Sequence, residues 1–216
     1  MITVWGEGRG FRVVWLLEEM GLPYRLRRVD LLAGAENDPE FMAINSGGFI
    51  PALQDGPVVM VESVAIMEYL IARHGPTPLA PAPGDDAFPA YQQFLHLGEA
   101  GLAASIYFVS GARNIAPAAE RDNWSARQAM GVFETRLRLV SRRLDEAPWM
   151  AGEAFTAADI SVVYALELAR RNVRYPFAEA ERAYVARATA RDGYQRAMAA
   201  CHDTRAWNET VAAEGG

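Results

Sequence analysis

A proline-rich stretch at residues 75–86 divides the chain into two parts with different secondary-structure patterns. The stretch, GPTPLAPAPGDD, holds four prolines and two glycines in twelve residues, which predicts a stiff linker. Before it, short β-favouring runs alternate with apolar residues at helical spacing, and after it only helical spacing remains. We therefore predict an α+β protein, with a small α/β domain over residues 1–75, a linker over 76–87 and an all-α domain over 88–216.

The first part predicts the element order β-α-β-α-β-β-α. Its strands are expected at residues 2–5, 24–30, 52–54 and 58–61, and its helices at 11–21, 39–45 and 63–74. Asp55-Gly56 is a hairpin-turn signal, and Pro57 predicts that the last strand lies at a sheet edge. In the second part, helices are expected at 88–113, 118–145, 156–171 and 179–201, the last broken near Asp192-Gly193.

The composition excludes several classes of protein. Of 216 residues, 51% are apolar and 22% are charged, which is typical of a globular chain and not of a disordered one. No apolar run approaches the roughly 18 residues that a membrane-spanning helix needs, which excludes an integral membrane protein. The net charge of −6 disfavours nucleic acid and acidic membrane surfaces as partners, because both require a local excess of positive charge.

The cysteine and lysine contents limit the chemistry further. Cys201 is the one cysteine, which excludes an internal disulfide, a Cys-x-x-Cys redox pair and a zinc site built on several cysteines. The 21 residues of the Lys and Arg total are all arginines, so a Schiff-base lysine is excluded. A single cysteine and a start without an export signal together predict a cytoplasmic protein, and we expect no metal.

Four short patterns occur in order along the chain. They are ITVWG followed by FRVVWLLEEMGLPY at the start, IPAL at 50–53, VESVAI at 61–66 and FTAADI at 155–160. With the linker between the third and fourth patterns, the chain resembles the cytosolic glutathione transferase family of bacterial type over nearly its whole length. The resemblance implies a thioredoxin-like N-terminal domain that binds glutathione, and an all-helical domain that holds a second substrate. The fourth pattern is also a capping box, so we assign Thr156 and Asp159 to folding.

Two of these patterns carry the predicted glutathione site. The resemblance implies a cis bond at Ile50-Pro51, with the backbone of Ile50, after Phe49, paired to the cysteinyl part of glutathione. From the residues alone, an ordinary trans proline at the start of a strand is the alternative. Glu62 and Ser63 stand where a strand ends and a helix begins, which favours a carboxylate. The resemblance assigns Ser63 to the α-carboxylate and Glu62 to the ammonium of the γ-glutamyl group, while an N-cap serine beside a solvated acid is the alternative.

The loop before the first helix lacks the group that usually activates the thiol. A free thiol has a pKa of about 8.5 and is mostly protonated at neutral pH. The usual donor is a Tyr, Ser or Cys in this loop, but residues 7–12 read Glu-Gly-Arg-Gly-Phe-Arg. Three explanations stay open. Backbone N–H groups near Gly10 and Phe11 could act with Arg9 or Arg12 as the cation, Tyr107 could donate from the helical domain, or glutathione could bind without activation.

The residue before Ile50 is a second departure from the family. Many relatives carry a basic residue there, whereas this chain has Phe49, which leaves the partner of the glycine carboxylate open. The second substrate is expected against the helical domain in a mostly apolar site. Aromatic residues at helical spacing are otherwise core residues, which is the alternative for each candidate. The candidate lining residues are Phe11, Tyr91, His96, Tyr107, Phe108, Arg113 and Trp124.

The resemblance implies a cytoplasmic homodimer that conjugates the glutathione thiolate to small apolar electrophiles, as in detoxification. Two alternatives stay open. One is a glutathione-binding or interaction protein of the same fold without transferase chemistry, which the missing hydroxyl favours. The other is glutathione-dependent reduction of disulfides or peroxides, in which glutathione itself supplies the sulfur and no protein hydroxyl is required.

Overall fold

The computed structural model describes residues 1–201 as four strands and nine α-helices. The strands are β1 (Ile2–Trp5), β2 (Tyr24–Arg27), β3 (Ala52–Asp55) and β4 (Val58–Val61). The helices are α1 (Phe11–Met20), α2 (Pro39–Ile44), α3 (Ser63–His74), α4 (Phe88–His96), α5 (Ala104–Asn114), α6 (Trp124–Glu146), α7 (Ala157–Val173), α8 (Glu179–Thr189) and α9 (Asp192–Ala200). None of the helices within this described range is long and apolar enough to span a membrane.

The four strands form one mixed sheet in the order β2-β1-β3-β4. β1 runs parallel to β2 and antiparallel to β3, and β3 pairs antiparallel with β4 through the hairpin turn that begins after Asp55. The predicted order β-α-β-α-β-β-α is confirmed, and β4 lies at the edge, as Pro57 predicts. The sheet and its helices form the thioredoxin-like part of the α+β fold.

α1 is the central helix of this first part. Its residues from Phe11 to Leu17 are all buried, because apolar side chains cover nearly every face of the helix. Gly21 ends the helix with φ 65°, and the amide of Leu22 donates to the carbonyl of Leu17 at 3.0 Å. This left-handed glycine cap lies where the helix predicted over 11–21 ends, and glycine suits such a C-terminal stop.

The described residues form two compact units. One contains residues 1–77 together with the segment from Arg191, and the other contains residues 78–190. The sequence predicts a single helical domain over 88–216, whereas α9 packs on α1 in the first unit. The reason is tertiary, because the apolar face of α9 is covered by α1 and not by a neighbouring helix in the sequence. Residues 202–216 of the predicted domain lie outside the described residues.

The predicted helix over 88–113 is divided in the second unit. A π-helical segment, Leu97–Ala103, separates α4 from α5. A Cβ at Gly98 would lie 2.3 Å from Ser161 Oγ on α7, so the glycine permits direct contact between the helices. Ser161 Oγ donates to the carbonyl of Leu95 at 2.7 Å, and Arg136 donates to carbonyls of the π segment. The distortion is therefore held by side chains from two other helices.

The capping box predicted at 155–160 is present at the start of α7. Asp159 is completely buried, and its carboxylate accepts hydrogen bonds from Met150 N, Thr156 N, Thr156 Oγ1 and Tyr184 Oη at 2.8–3.2 Å. Burial raises the pKa of Asp159 to about 6, although these hydrogen bonds lower it. Asp159 therefore joins the turn before α7 to the side of α8.

Asp159→Asn is expected to lower the free energy of unfolding by about 2 to 4 kcal/mol, because an amide cannot accept all of these donors and leaves buried groups unpaired. The titration of Asp159 should also make the stability of the wild type depend on pH, and Asp159→Asn should lack this dependence. Since the folded-state pKa lies above the ordinary carboxyl value, the folded protein holds a proton that the unfolded chain releases first. Stability should therefore fall as pH rises from about 4 to about 6.

Chemical denaturation across this pH range measures both effects. The exposed Glu153→Gln is the matched control near the same turn and should unfold as the wild type does. Wild-type stability in Asp159→Asn, with an unchanged pH profile, would show that the carboxylate does not hold this turn.

Candidate functional site

A glycine-rich loop after β1 lies directly on the residues that precede β3. A Cβ at Gly6 would lie 2.2 Å from Ile50 Cγ2, and one at Gly10 would lie 3.2 Å from Pro51 Cβ. Gly8 is also close, because its Cβ would lie 3.5 Å from Ile50 Cδ1. The structure therefore brings the loop before the first helix, where the thiol is expected, into contact with Ile50-Pro51. The bond between Ile50 and Pro51 is cis, as predicted from the resemblance.

The backbone before Ile50 is held by Asn45, a residue that the sequence analysis did not select. Asn45 is buried, its Oδ1 accepts the amide of Gly47 at 3.0 Å, and its Nδ2 donates to the carbonyl of Phe49 at 2.6 Å. Phe49 is exposed, and its ring lies over Gly47, where a Cβ would approach Cε1 at 2.8 Å. The sequence signal was present, since Asn followed by Ser-Gly-Gly is typical of a side-chain-capped turn.

The start of α3 brings Arg12 and Ser63 together. Ser63 is the first residue of α3 and is buried, while Glu62 precedes it as the N-cap residue and is exposed. Arg12 is completely buried and donates from Nη1 to Ser63 Oγ at 2.8 Å. Because the hydroxyl oxygen accepts this bond, the hydroxyl hydrogen stays available as a donor. Ser63 is therefore not the N-cap, which was the alternative to a ligand role.

Glu62 has an unusual backbone. Its φ is 71° and its ψ is 105°, a conformation that residues with a side chain rarely adopt. Its side chain makes no capping bond to the helix that it precedes. Strained backbone of this kind persists where the surrounding structure holds it and is concentrated at functional sites. Glu62 therefore stands directly before the first amides of α3 in a strained conformation.

A single 3₁₀ turn, Gly8–Gly10, leads into α1 and contains Arg9. The amide of Gly10 donates to the carbonyl of Glu7 at 2.8 Å, and the amide of Phe11 donates to the carbonyl of Gly8. The amides of Gly10 and Phe11, which were one of the three explanations left open above, are therefore engaged within the turn. The amide of Gly8 opens the turn, and the first amides of a helical turn have no acceptor inside it.

The remaining candidates for second-substrate contacts fall into packed and exposed groups. Phe11 is buried against Trp15 and Tyr194, and Tyr91 is also buried, so both have the packing of core residues. Tyr107 is half-buried, and its hydroxyl lies 2.9 Å from that of Tyr164. The exposed candidates are His96 on α4, Phe108 and Arg113 on α5, and Trp124 on α6, with Arg113 Nε 3.9 Å from Asp122 Oδ1. The structure places all these candidates except Phe11 in the second unit.

Cys201 lies in the first unit and is buried. Burial, together with the negative charge of Glu7, raises the pKa of its thiol to about 12. Such a thiol is protonated at neutral pH and is therefore a poor nucleophile. Within residues 1–201, no group of three or more His, Cys, Asp or Glu side chains is arranged to hold a metal ion.

Comparison with known proteins gives consistent matches. The family described as "Glutathione S-transferase, N-terminal domain" matches residues 2–72. Glutathione S-transferase 3 of Schizosaccharomyces pombe is 28% identical over 179 residues, which cover 77% of this chain and 72% of that protein. Disulfide-bond oxidoreductase YfcG of Escherichia coli is 31% identical over 162 residues, which cover 70% of this chain and 72% of that protein.

A solved structure extends the similarity to the whole fold. The theta class glutathione S-transferase of Xanthomonas axonopodis pv. citri, solved with glutathione bound, superposes with a TM-score of 0.76 at 26% identity. The match covers 91% of this chain and 96% of that chain. The similarity therefore reaches well beyond residues 2–72 and includes the helical part.

Proposed function

Because the chain belongs to the cytosolic glutathione transferase family, we propose that it binds glutathione and conjugates the thiolate to small apolar electrophiles. The observation that carries the proposal is the packing of the glycine-rich loop on Ile50 and Pro51. This contact brings a helical N-terminus next to a backbone segment that can pair with an extended peptide. An extended peptide with a thiol at its centre matches both features.

The start of α3 is the proposed site of the γ-glutamyl group. The amides that open α3 and the hydroxyl of Ser63 can donate to its α-carboxylate, and Glu62 can balance its ammonium. Arg12 supports this role in two ways. Its bond to Ser63 Oγ at 2.8 Å directs the hydroxyl hydrogen away from itself, and its buried positive charge favours an anion nearby.

The turn Gly8–Gly10 is the proposed site of the sulfur. The amide of Gly8 and the positive end of α1 would stabilise the thiolate, with Arg9 as the nearest basic residue in the sequence. Gly8 has φ 59° and lies against Ile50, so the absence of a side chain lets sulfur approach the backbone. The protein thus contributes orientation and charge stabilisation to the attack of sulfur on the electrophile.

The electrophile is assigned to the helical unit, where Phe108 and Trp124 expose apolar surface and Tyr107 carries a hydroxyl. We also propose a cytoplasmic homodimer that acts in detoxification. Its support is the family resemblance together with Val58 and Val59, which leave apolar surface exposed on edge strand β4.

A second candidate is glutathione-dependent disulfide reduction, which the similarity to YfcG favours. In this reaction the bound thiolate attacks a disulfide, forms a mixed disulfide and releases one thiol. A second glutathione then attacks the mixed disulfide, which releases oxidised glutathione and the second thiol. No protein hydroxyl or thiol takes part, in agreement with the loop sequence of residues 7–12.

Glutathione binding is tested by calorimetry on Ser63→Ala and on Glu62→Ala with Ser63→Ala. The double variant is expected to bind glutathione at least about 100-fold more weakly than the wild type, because charged hydrogen bonds to the γ-glutamyl group are lost. Ser105→Ala removes a different buried serine, in the second unit, and should bind as the wild type does. Unchanged affinity in the double variant would place the acidic head of the ligand elsewhere.

Thiol activation is tested by titrating the thiolate absorbance of bound glutathione in Gly8→Ser and Gly8→Ala. Serine adds one donor and should raise the thiolate fraction at neutral pH about threefold, whereas alanine should not. Both variants should lose about 1 kcal/mol of stability from the positive φ, so alanine controls for strain. Cys201 does not interfere, because its pKa is about 12. Equal titration curves for the two variants would move the sulfur away from this turn.

The two reactions separate in a panel of electrophiles, disulfides and peroxides under saturating glutathione. Consumption of one glutathione per electrophile supports conjugation. Formation of one oxidised glutathione per disulfide supports reduction. The rate of this reduction should not depend on the apolar surface at Phe108. Tight binding of glutathione with neither turnover would leave a binding protein and refute both reactions.

A further inference from the structure

The aromatic face of α9 packs against the start of α1. The Tyr194 ring lies 5.4 Å from the Phe11 ring and 4.9 Å from the Trp15 ring, centroid to centroid, with both pairs edge to face. The Phe11 and Trp15 rings are themselves 6.0 Å apart. All three side chains are buried, and within residues 1–201 Tyr194 is the ring that α9 adds to the two rings of α1. Contacts of this kind fix the position of a helix, because the rings fill fixed space.

Ion pairs hold the same two helices at the other end of the contact. Arg191 donates from Nε and Nη2 to the two carboxylate oxygens of Glu19 at 2.8 and 2.7 Å, and Trp15 Nε1 donates to Glu19 Oε1 at 3.0 Å. Arg196 donates to the carboxylate and to the carbonyl of Glu18 at 2.7 and 2.9 Å. These pairs fix the rotation of α1 as well as its position, because bidentate bonds are directional.

The two helices also approach very closely. A Cβ at Gly193 would lie 2.6 Å from Glu19 Oε1, so the backbone of α9 rests directly on the Glu19 side chain of α1. Phe11 follows Gly10 directly in the sequence, and Gly10 rests on Pro51. The amide of Phe11 also donates to the carbonyl of Gly8, so the residue that packs on Tyr194 is bonded to the turn that contains Gly8 and Arg9.

We propose that α9 positions the first turn of α1 for thiolate stabilisation, with Tyr194 as the positioning residue and Arg191 as its support. The inference rests on the proposed function of the Gly8–Gly10 turn. It requires no contact between α9 and glutathione. A hydrogen bond from an amide weakens steeply when its angle departs from linear, so a small displacement of the turn reduces stabilisation of the sulfur.

The test compares Tyr194→Leu, Tyr194→Phe and Arg191→Gln in the full chain, with two measurements on each. Hydrogen exchange of the amides at residues 10–13 reports the turn, and thiolate absorbance of bound glutathione reports its chemistry. Tyr194→Leu should speed exchange there but not in α3, and should lower the thiolate fraction at neutral pH about three- to tenfold. Tyr194→Phe keeps the ring and should show the wild-type exchange rate and the wild-type thiolate fraction. Arg191→Gln should give the same changes to a smaller extent, and it serves if Tyr194→Leu does not fold.

Arg170→Gln is the matched control, because Arg170 forms a bidentate pair with Glu167 at 2.8 Å in the second unit. It should leave both measurements unchanged. Faster exchange in Tyr194→Leu with a wild-type thiolate fraction would reduce α9 to a purely structural role and overturn the inference. Wild-type values in both measurements would overturn it as well. A wild-type protein that does not lower the thiol pKa would refute the proposed function, while exchange at residues 10–13 would still decide whether α9 holds the turn.

Discussion

The contact between the glycine-rich loop and Ile50-Pro51 is the constraint on which the candidate site depends. β1 and β3 are neighbours in the sheet, so the loop that leaves β1 and the segment that enters β3 meet at the same end. The loop can lie flat on this segment only because Gly6 and Gly10 have no side chain. The close approach brings a helical N-terminus to a backbone that can accept a strand-like ligand.

The bond from Arg12 to Ser63 joins α1 to α3 behind that contact. It couples the helix whose first turn faces the proposed sulfur position to the helix whose N-terminus is the proposed carboxylate site. Both ends carry the positive pole of a helix, and Arg12 adds a buried positive charge between them. A ligand with a carboxylate at one end and a thiolate in its middle is complementary to this distribution. In the proposed function, this distribution favours the anionic sulfur without a hydroxyl from residues 7–12.

Local patterns predicted most of the first unit correctly. The alternation of short strands and helices and the glycine cap at Gly21 depend on neighbours within a few residues, so the sequence carries them directly. The same holds for the capping box at Asp159 in the second unit. The division of the helix over 88–113 was not predictable, because it depends on contact between Gly98 and Ser161, far apart in the chain. Asn45 was missed for a different reason. Its turn signal was present in the sequence, but nothing in that signal indicated that the turn holds the backbone before Ile50.

The sequence by itself determined the fold class and the order of elements, because periodicity, turn residues and helix caps act over short distances along the chain. The segments that meet at the candidate site were predicted from the resemblance to a known family. The tertiary structure decided which amides stay available in the Gly8–Gly10 turn, which residue orients Ser63, and that α9 packs on α1. These outcomes depend on packing between residues far apart in the chain, such as Glu19 and Arg191, which are 172 positions apart, and no local pattern encodes such a contact.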